Sequence, residues 1–172
     1  ELGDREGEAS RLSQLGDAYD GAGRHKNAVA CHWAALRISR ERADRPAEGR
    51  DMSNLGVALQ SLGHCEATQM KTVRVGGSTW KVKLGDSTYD LALRAHEAAL
   101  AVSQETGADP RVMQEDLIHV ANAWHGLDHH EKAIDLGREA LSLSRETGDH
   151  RAECHNLIDL GAIGQSLGNR LL

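Results

Sequence analysis

The sequence predicts an all-α fold: a right-handed helix-turn-helix solenoid of about seven helices, with a β-hairpin inserted in its second repeat. Three observations predict it. Leu15-Gly16 recurs forty residues later as Leu55-Gly56 and again as Leu160-Gly161. A spacing of eight from alanine to leucine recurs at Ala28 and Leu36, Ala92 and Leu100, and Ala133 and Leu141. Each pair leads into a similar ending: Ile38-Ser-Arg-Glu41, Val102-Ser-Gln-Glu105 and Leu143-Ser-Arg-Glu146. The third is composition. The 172 residues include three Trp, two Tyr and no Phe, so the core must be built from Ala, Leu, Val and Ile, which suits closely packed helices better than a β-sandwich. Self-similarity at a fixed period is the signature of a repeat array.

The array divides into repeats over approximately 8–46, 47–108 with an insertion at 65–88, 109–149, and a half repeat at 150–172. In the first unit Leu12, Leu15 and Tyr19 fall at three- and four-residue steps, the apolar stripe of an amphipathic helix. Gly16 beside Leu15 removes a side chain where a neighbouring helix must come close, and Gly23 ends the helix in a left-handed conformation. Ala28 and Ala35 are the small contacts of the second helix. The second unit opens on Asp44 and Pro46 and continues through Met52, Leu55 and Leu59, with Gly63 in the place of Gly23. Its second helix carries Ala92, Ala99 and Leu100. The third unit opens on Asp109-Pro110, a capping residue before a first-turn proline. It carries Leu117, Val120, Ala121 and Trp124, then Ala133, Ala140 and Leu141, with alanine in place of the glycine. The half repeat carries Leu157, Leu160, Gly161 and a terminating Gly168.

From Gly16 to Ala28 is twelve residues, and from Ala121 to Ala133 is twelve, but from Gly56 to Ala92 is thirty-six. The second unit therefore carries twenty-four extra residues between its helices, roughly Cys65 to Thr88. Three of the chain's five lysines (Lys71, Lys81, Lys83) lie there, and the segment has net charge +2 against −8 for the remainder. Thr72–Val75, Gly76-Gly77 and Ser78–Leu84 alternate with period two and predict a hairpin with a two-residue turn. Val73, Val75, Trp80, Val82 and Leu84 form its expected apolar interaction face, with Val73 opposite Trp80. Three readings stand: a loop folded onto its own solenoid, a partner-binding or self-pairing hairpin, or a foreign graft.

The matching residues (Leu12, Leu15, Gly16, Tyr19, Ala28, Ala35 and Leu36, with their counterparts in the later units) resemble the tetratricopeptide repeat. The spacing is similar to its forty-residue variety, found in G-protein-signalling modulators, kinesin light chains and bacterial regulators. The resemblance covers all but the inserted segment. It implies a protein- or peptide-binding scaffold, part of a larger bacterial regulatory or assembly protein, with its ligand in a concave groove lined by the first helix of each unit. The groove residues are then Ser13, Asp17 and Asp20; Arg50, Ser53, Asn54, Val57 and Gln60; Glu115, Ile118, Asn122 and His125; and, on the last helix, His155, Ile158 and Ala162. An asparagine directly after the Leu-Gly pair holds the ligand backbone in the related modulators. Only Asn122 stands there in this chain, with Asp17, Val57 and Ala162 at the other three places. The acidic beginning of the groove favours a ligand carrying Lys or Arg.

No chemistry competes with binding. The chain has no Gly-rich phosphate loop, no Gly-x-Ser-x-Gly elbow and no cysteine with an activating partner, so an enzyme is not expected. Glu115-Asp116 reads as a solvated face or a helix start. Among ten histidines, His125, His129 and His130 are the densest group, but a turn over 126–128 keeps them off one face. His32 and His96 stand at equivalent places and predict inter-helix packing. No metal and no cofactor are expected. Net charge −6 argues against nucleic acid as partner. Three widely spaced cysteines and the lack of a long apolar run predict a cytoplasmic chain with no membrane partner. The missing initiator Met predicts a fragment of a longer chain. A self-assembling homo-oligomer, through the hairpin or the array ends, is the alternative to the scaffold, and a metal-dependent enzyme is the third class.

Overall fold

The structure, a computed structural model, describes residues 4–65, 73–75, 78–80 and 88–170. Seven helices are described: α1 (Arg5–Gly21), α2 (His25–Glu41), α3 (Arg45–Cys65), α4 (Thr88–Thr106), α5 (Pro110–Gly126), α6 (His130–Glu146) and α7 (His150–Arg170). Each packs on the next in chain order. The odd-numbered helices also touch one another, α1 on α3, α3 on α5 and α5 on α7, whereas no even-numbered pair touches among the described residues. Helices that meet on one side and splay on the other make a curved, solenoid-like stack with the odd helices innermost.

The turns follow from the helix ends. Five helices close with one left-handed residue: Gly23, Ala43, Gly107, Asp128 and Gly148. In each, the next amide reaches back five residues, Arg24 to Tyr19, Asp44 to Ser39, Ala108 to Ser103, His129 to Trp124 and Asp149 to Ser144, at 2.8–3.0 Å. This pairing satisfies the orphan carbonyls of the last turn and fixes the reversal. Asp44, Asp109 and Asp149 then cap the following helix, accepting from Ala47, Arg111 and Ala152. Pro110 opens α5, and Pro46 is the second residue of α3, where a missing amide costs nothing. Gly63 and Gly168 do not end helices as expected. α3 runs through Gly63 and α7 through Gly168, and Gly63 instead leaves room for Thr88 and Tyr89 of α4.

Alanine carries the close contacts. Ala28, Ala35, Ala92, Ala99, Ala133 and Ala140 are fully enclosed, and the largest apolar cluster runs from Ala28 and Leu36 on α2 through Met52, Leu55 and Leu59 on α3 to Ala99 and Val102 on α4. The leucine beside the glycine is buried only where a preceding helix covers it: Leu55 is 7% exposed, Leu15 45%.

The fold class needs one correction. The helices carry the fold, but the inserted β-hairpin expected within 65–88 is not present as a structural unit. The described backbone there amounts to two three-residue strands, β1 (Val73–Val75) and β2 (Ser78–Trp80), paired antiparallel with Val73 opposite Trp80. Three residue pairs are too few for a β element that stands by itself. The longer second strand was expected through Leu84, but residues 66–72, 76–77 and 81–87, including Val82 and Leu84, lie outside the described residues. The apolar interaction face drawn from Val73, Val75, Trp80, Val82 and Leu84 is therefore withdrawn.

Candidate functional site

All fifteen residues expected to line the groove lie on odd-numbered helices: Ser13, Asp17 and Asp20 on α1, Arg50, Ser53, Asn54, Val57 and Gln60 on α3, Glu115, Ile118, Asn122 and His125 on α5, and His155, Ile158 and Ala162 on α7. Asp17, Arg50, Glu115 and the three α7 residues are exposed and the rest are half-buried. Lateral hydrogen bonds tie α3 to α1 and α5 to α7 on this side of the stack. Asn54 donates to Ser13 at 3.1 Å and Ser61 to Asp20 at 3.3 Å, while Gln114 donates to Asn156 at 3.0 Å.

Four of those residues converge on one cleft of about 200 Å³, lined by Asp17 and Asp20 from α1, His32 from α2, and Asn54, Val57 and Ala58 from α3. His32 lies at its base, 2% exposed, with its Nδ1 lacking a hydrogen-bond partner among the described residues and its Nε2 3.7 Å from Asp17. Burial pushes His32 below the ordinary imidazole range, against the pull of Asp17 and Asp20. Asp20 is held by His25 at 2.6 Å and by Ser61. The Asp17 carboxylate is mostly in solvent. The cleft therefore offers a neutral ring below and two carboxylates beside it, a setting for a cation.

His32 and His96 share the packing role their repeat positions predict. A Cβ on Gly16 would lie 2.5 Å from the His32 ring, and one on Gly56 would lie 2.5 Å from the His96 ring. The glycines are therefore the hollows into which the imidazoles press. His96 goes further: its ring stacks on His119 of α5, centroids 5.0 Å apart and 16° from parallel. Burial, with His119 beside it, lowers His96 to about 3.

Sequence reasoning missed a polar ladder in the core. Ser39 donates to Asp51 at 2.5 Å, Ser103 to Asp116 at 2.6 Å, and Asn156 to Ser144 at 3.3 Å. All six residues are buried. Asp116 is thus not the solvated surface that Glu115-Asp116 was expected to be. Burial raises both Asp51 and Asp116 above the usual carboxylate range. The signal lay in the repeated endings, whose serine donates at Ser39 and Ser103 and accepts at Ser144. The arginine after it reaches the next helix, Arg40 to Glu48 at 2.8 Å and Arg145 to Glu153 at 2.7 Å. Between the second and third units Gln104 and Met113 replace both partners together.

The histidine cluster resolves into separate contacts. His125 and His130 approach through their Nδ1 atoms at 2.9 Å, while His129 meets Trp124 edge-on. Among the described residues no group of three or more His, Cys, Asp or Glu side chains is placed to hold a metal ion, and no helix is long and apolar enough to cross a membrane. No protein-family model matches the chain, and comparison with curated proteins gives no match.

Proposed function

We propose that this chain is a tetratricopeptide-type array that binds a peptide segment of a partner protein along the face of its odd-numbered helices, as part of a larger cytoplasmic bacterial regulatory or assembly protein. One observation carries the reading: α1, α3, α5 and α7 line one side of the stack, each touching the next odd helix, with polar side chains joining α3 to α1 and α5 to α7 by hydrogen bonds. Such a layer is rigid and laterally extended, which lowers the ordering cost of binding an extended segment. Binding rather than catalysis suits a cleft whose titratable groups are a deeply buried imidazole and two aspartates, with no nucleophile among them.

Selection from a random-peptide library on the intact chain tests this. Enriched peptides should bind at about micromolar Kd and lose about tenfold when Arg50→Glu and Asn122→Ala are introduced together. No enrichment, or equal binding to that variant, removes the reading. A second reading, end-on self-assembly of two copies, rests on Leu157 and Ile158 of α7, which are 48% and 67% exposed.

A further inference from the structure

In the first two units a helix packs on the glycine of the Leu-Gly pair. In the half repeat none does among the described residues. His32 of α2 presses its ring onto Gly16, and His96 of α4 presses onto Gly56. Both helices carry the same docking face: Ala28, His32, Ala35 and Leu36 in α2, and Ala92, His96, Ala99 and Leu100 in α4. The four alanines are fully enclosed. Gly161 of α7 stands at the place of Gly16 and Gly56. A Cβ there, or at Gly164 three residues on, would meet nothing within 4 Å among the described residues. Leu157, four residues before Gly161, agrees. It is 48% exposed, whereas its counterparts Met52 and Leu117, on helices followed by α4 and α6, are 8% and 3% exposed. The opposite flank of α7 is already taken, since Leu160 leans on Gly137 of α6.

We infer that the open flank of α7 is the seat of one α-helix from a partner protein, built like α2 and α4, with alanines at the contact and a histidine ring in the Gly161 hollow. The first two units supply the occupant's chemistry, because they show what the same row of residues holds when it is covered. The inference goes beyond the peptide-binding face, which lies where the odd helices touch one another. This flank is where an even helix packs. A terminal repeat with apolar, close-contact residues in water calls for a cover, and glycine in a helix interior costs stability unless a close approach makes use of it. The end of α7 favours a separate chain as the source. α1 and α5 reverse at a left-handed residue, Gly23 and Asp128, seven places after Gly16 and Ala121. Gly168 has that place in α7 but lies inside the helix, which runs to Arg170. No short turn there lays a further helix on the flank. α3 runs past Gly63 in the same way, and α4 covers it only after residues 66–87. Such a flank therefore accepts a helix that no short turn delivers.

The test titrates two peptides into the intact chain while the amides of Gly161 and Gly164 and the methyls of Leu157 are followed by NMR. The first has the sequence of residues 24–42, held helical by a lactam bridge on its outward side. The second has the sequence of residues 129–147, bridged likewise, and carries Gly137 where the first carries His32. We expect saturable shifts at the three reporters with the first peptide, at about 100 μM Kd for one short helix. The second peptide, and the first with His32→Ala, should bind about tenfold more weakly. Gly161→Ala in the chain should reverse the preference between the two peptides, since the third unit has Ala121 and Gly137 at these places, without lowering the melting temperature. A purely structural role for position 161 would not exchange them. Absence of saturable shifts with the first peptide, equal binding after His32→Ala, or an unchanged preference in Gly161→Ala overturns the proposal. Shifts confined to α1 and α3 would mean that the peptide displaces the chain's own α2, and they overturn it too. So does a dimer that excludes the first peptide and dissociates with Ile158→Glu, because a second copy then covers the flank.

Discussion

Gly56 and His96 are two halves of one contact, and their energetics belong to the single residue. The imidazole fills the volume a side chain at position 56 would need, 2.5 Å from where its Cβ would stand. Gly56→Leu should therefore destabilise the array by about 1–3 kcal/mol through overpacking. Gly161 has the same place in the half repeat, but a Cβ there meets nothing within 4 Å. Gly161→Ala should instead stabilise by up to about 1 kcal/mol, the usual gain from removing a mid-helix glycine. Thermal melting of the two variants checks the pair, and a loss of stability at both positions would show that the second helix is not what distinguishes them. The glycine hollow was legible in the sequence, since Leu-Gly recurs in register. Its complement was not, because nothing in the spacing of His32 and His96 says which neighbour they press against.

At the scale of the element, the helix boundaries follow from signals the chain carries openly. Asp109-Pro110 and Asp44 with Pro46 mark helix starts, and the stretch expected to be inserted lies between the end of α3 at Cys65 and the start of α4 at Thr88. Three features were illegible for a physical reason. Ala43 and Asp128 take the left-handed turn that glycine takes at Gly23, Gly107 and Gly148, so a search for glycines finds only some turns. Period-two alternation between Thr72 and Leu84 reports a pattern of faces and not the pairing that sustains them, and the described pairing there is limited to Val73–Val75 with Ser78–Trp80. The cleft, finally, draws on α1, α2 and α3 together, a convergence set by tertiary packing rather than by spacing within one helix. The last helix has its own consequence. Ile158 and Leu157 leave α7 with apolar surface in water, and light scattering across concentration should show a second copy associating there. Ile158→Glu should return the species to a monomer, whereas a monomer at every concentration in the parent chain would end the self-assembly reading.

Across the whole molecule, buried imidazoles tie stability to pH. His32, His96, His119 and His125 all lie below the ordinary histidine range, chiefly because burial disfavours the charged ring. A histidine depressed in the fold contributes stability that is complete above its unfolded value near 6.5 and is lost as pH falls toward the folded value, since the unfolded chain then binds more protons. From pH 7.5 to 5.5, His96 alone should cost about 1 kcal/mol, a fall of several degrees in melting temperature for a chain of this size. Asp51 and Asp116, raised by burial, act in the opposite sense only as pH nears the carboxylate range. A melting temperature that is flat or rising over that window would contradict the assignment. Repeated chains also face a hazard that single-core proteins escape: similar helices compete for one another's places, and swapped arrangements trap the chain. In the first two units a glycine faces a histidine, whereas in the third Ala121 stands at the glycine's place and Gly137 at the histidine's, with Leu160 leaning over it. A histidine-bearing helix docked on α5 in the native geometry would drive its ring into the Ala121 methyl. Volume thus serves as an address that keeps the histidine-bearing helices of the first two units off the third.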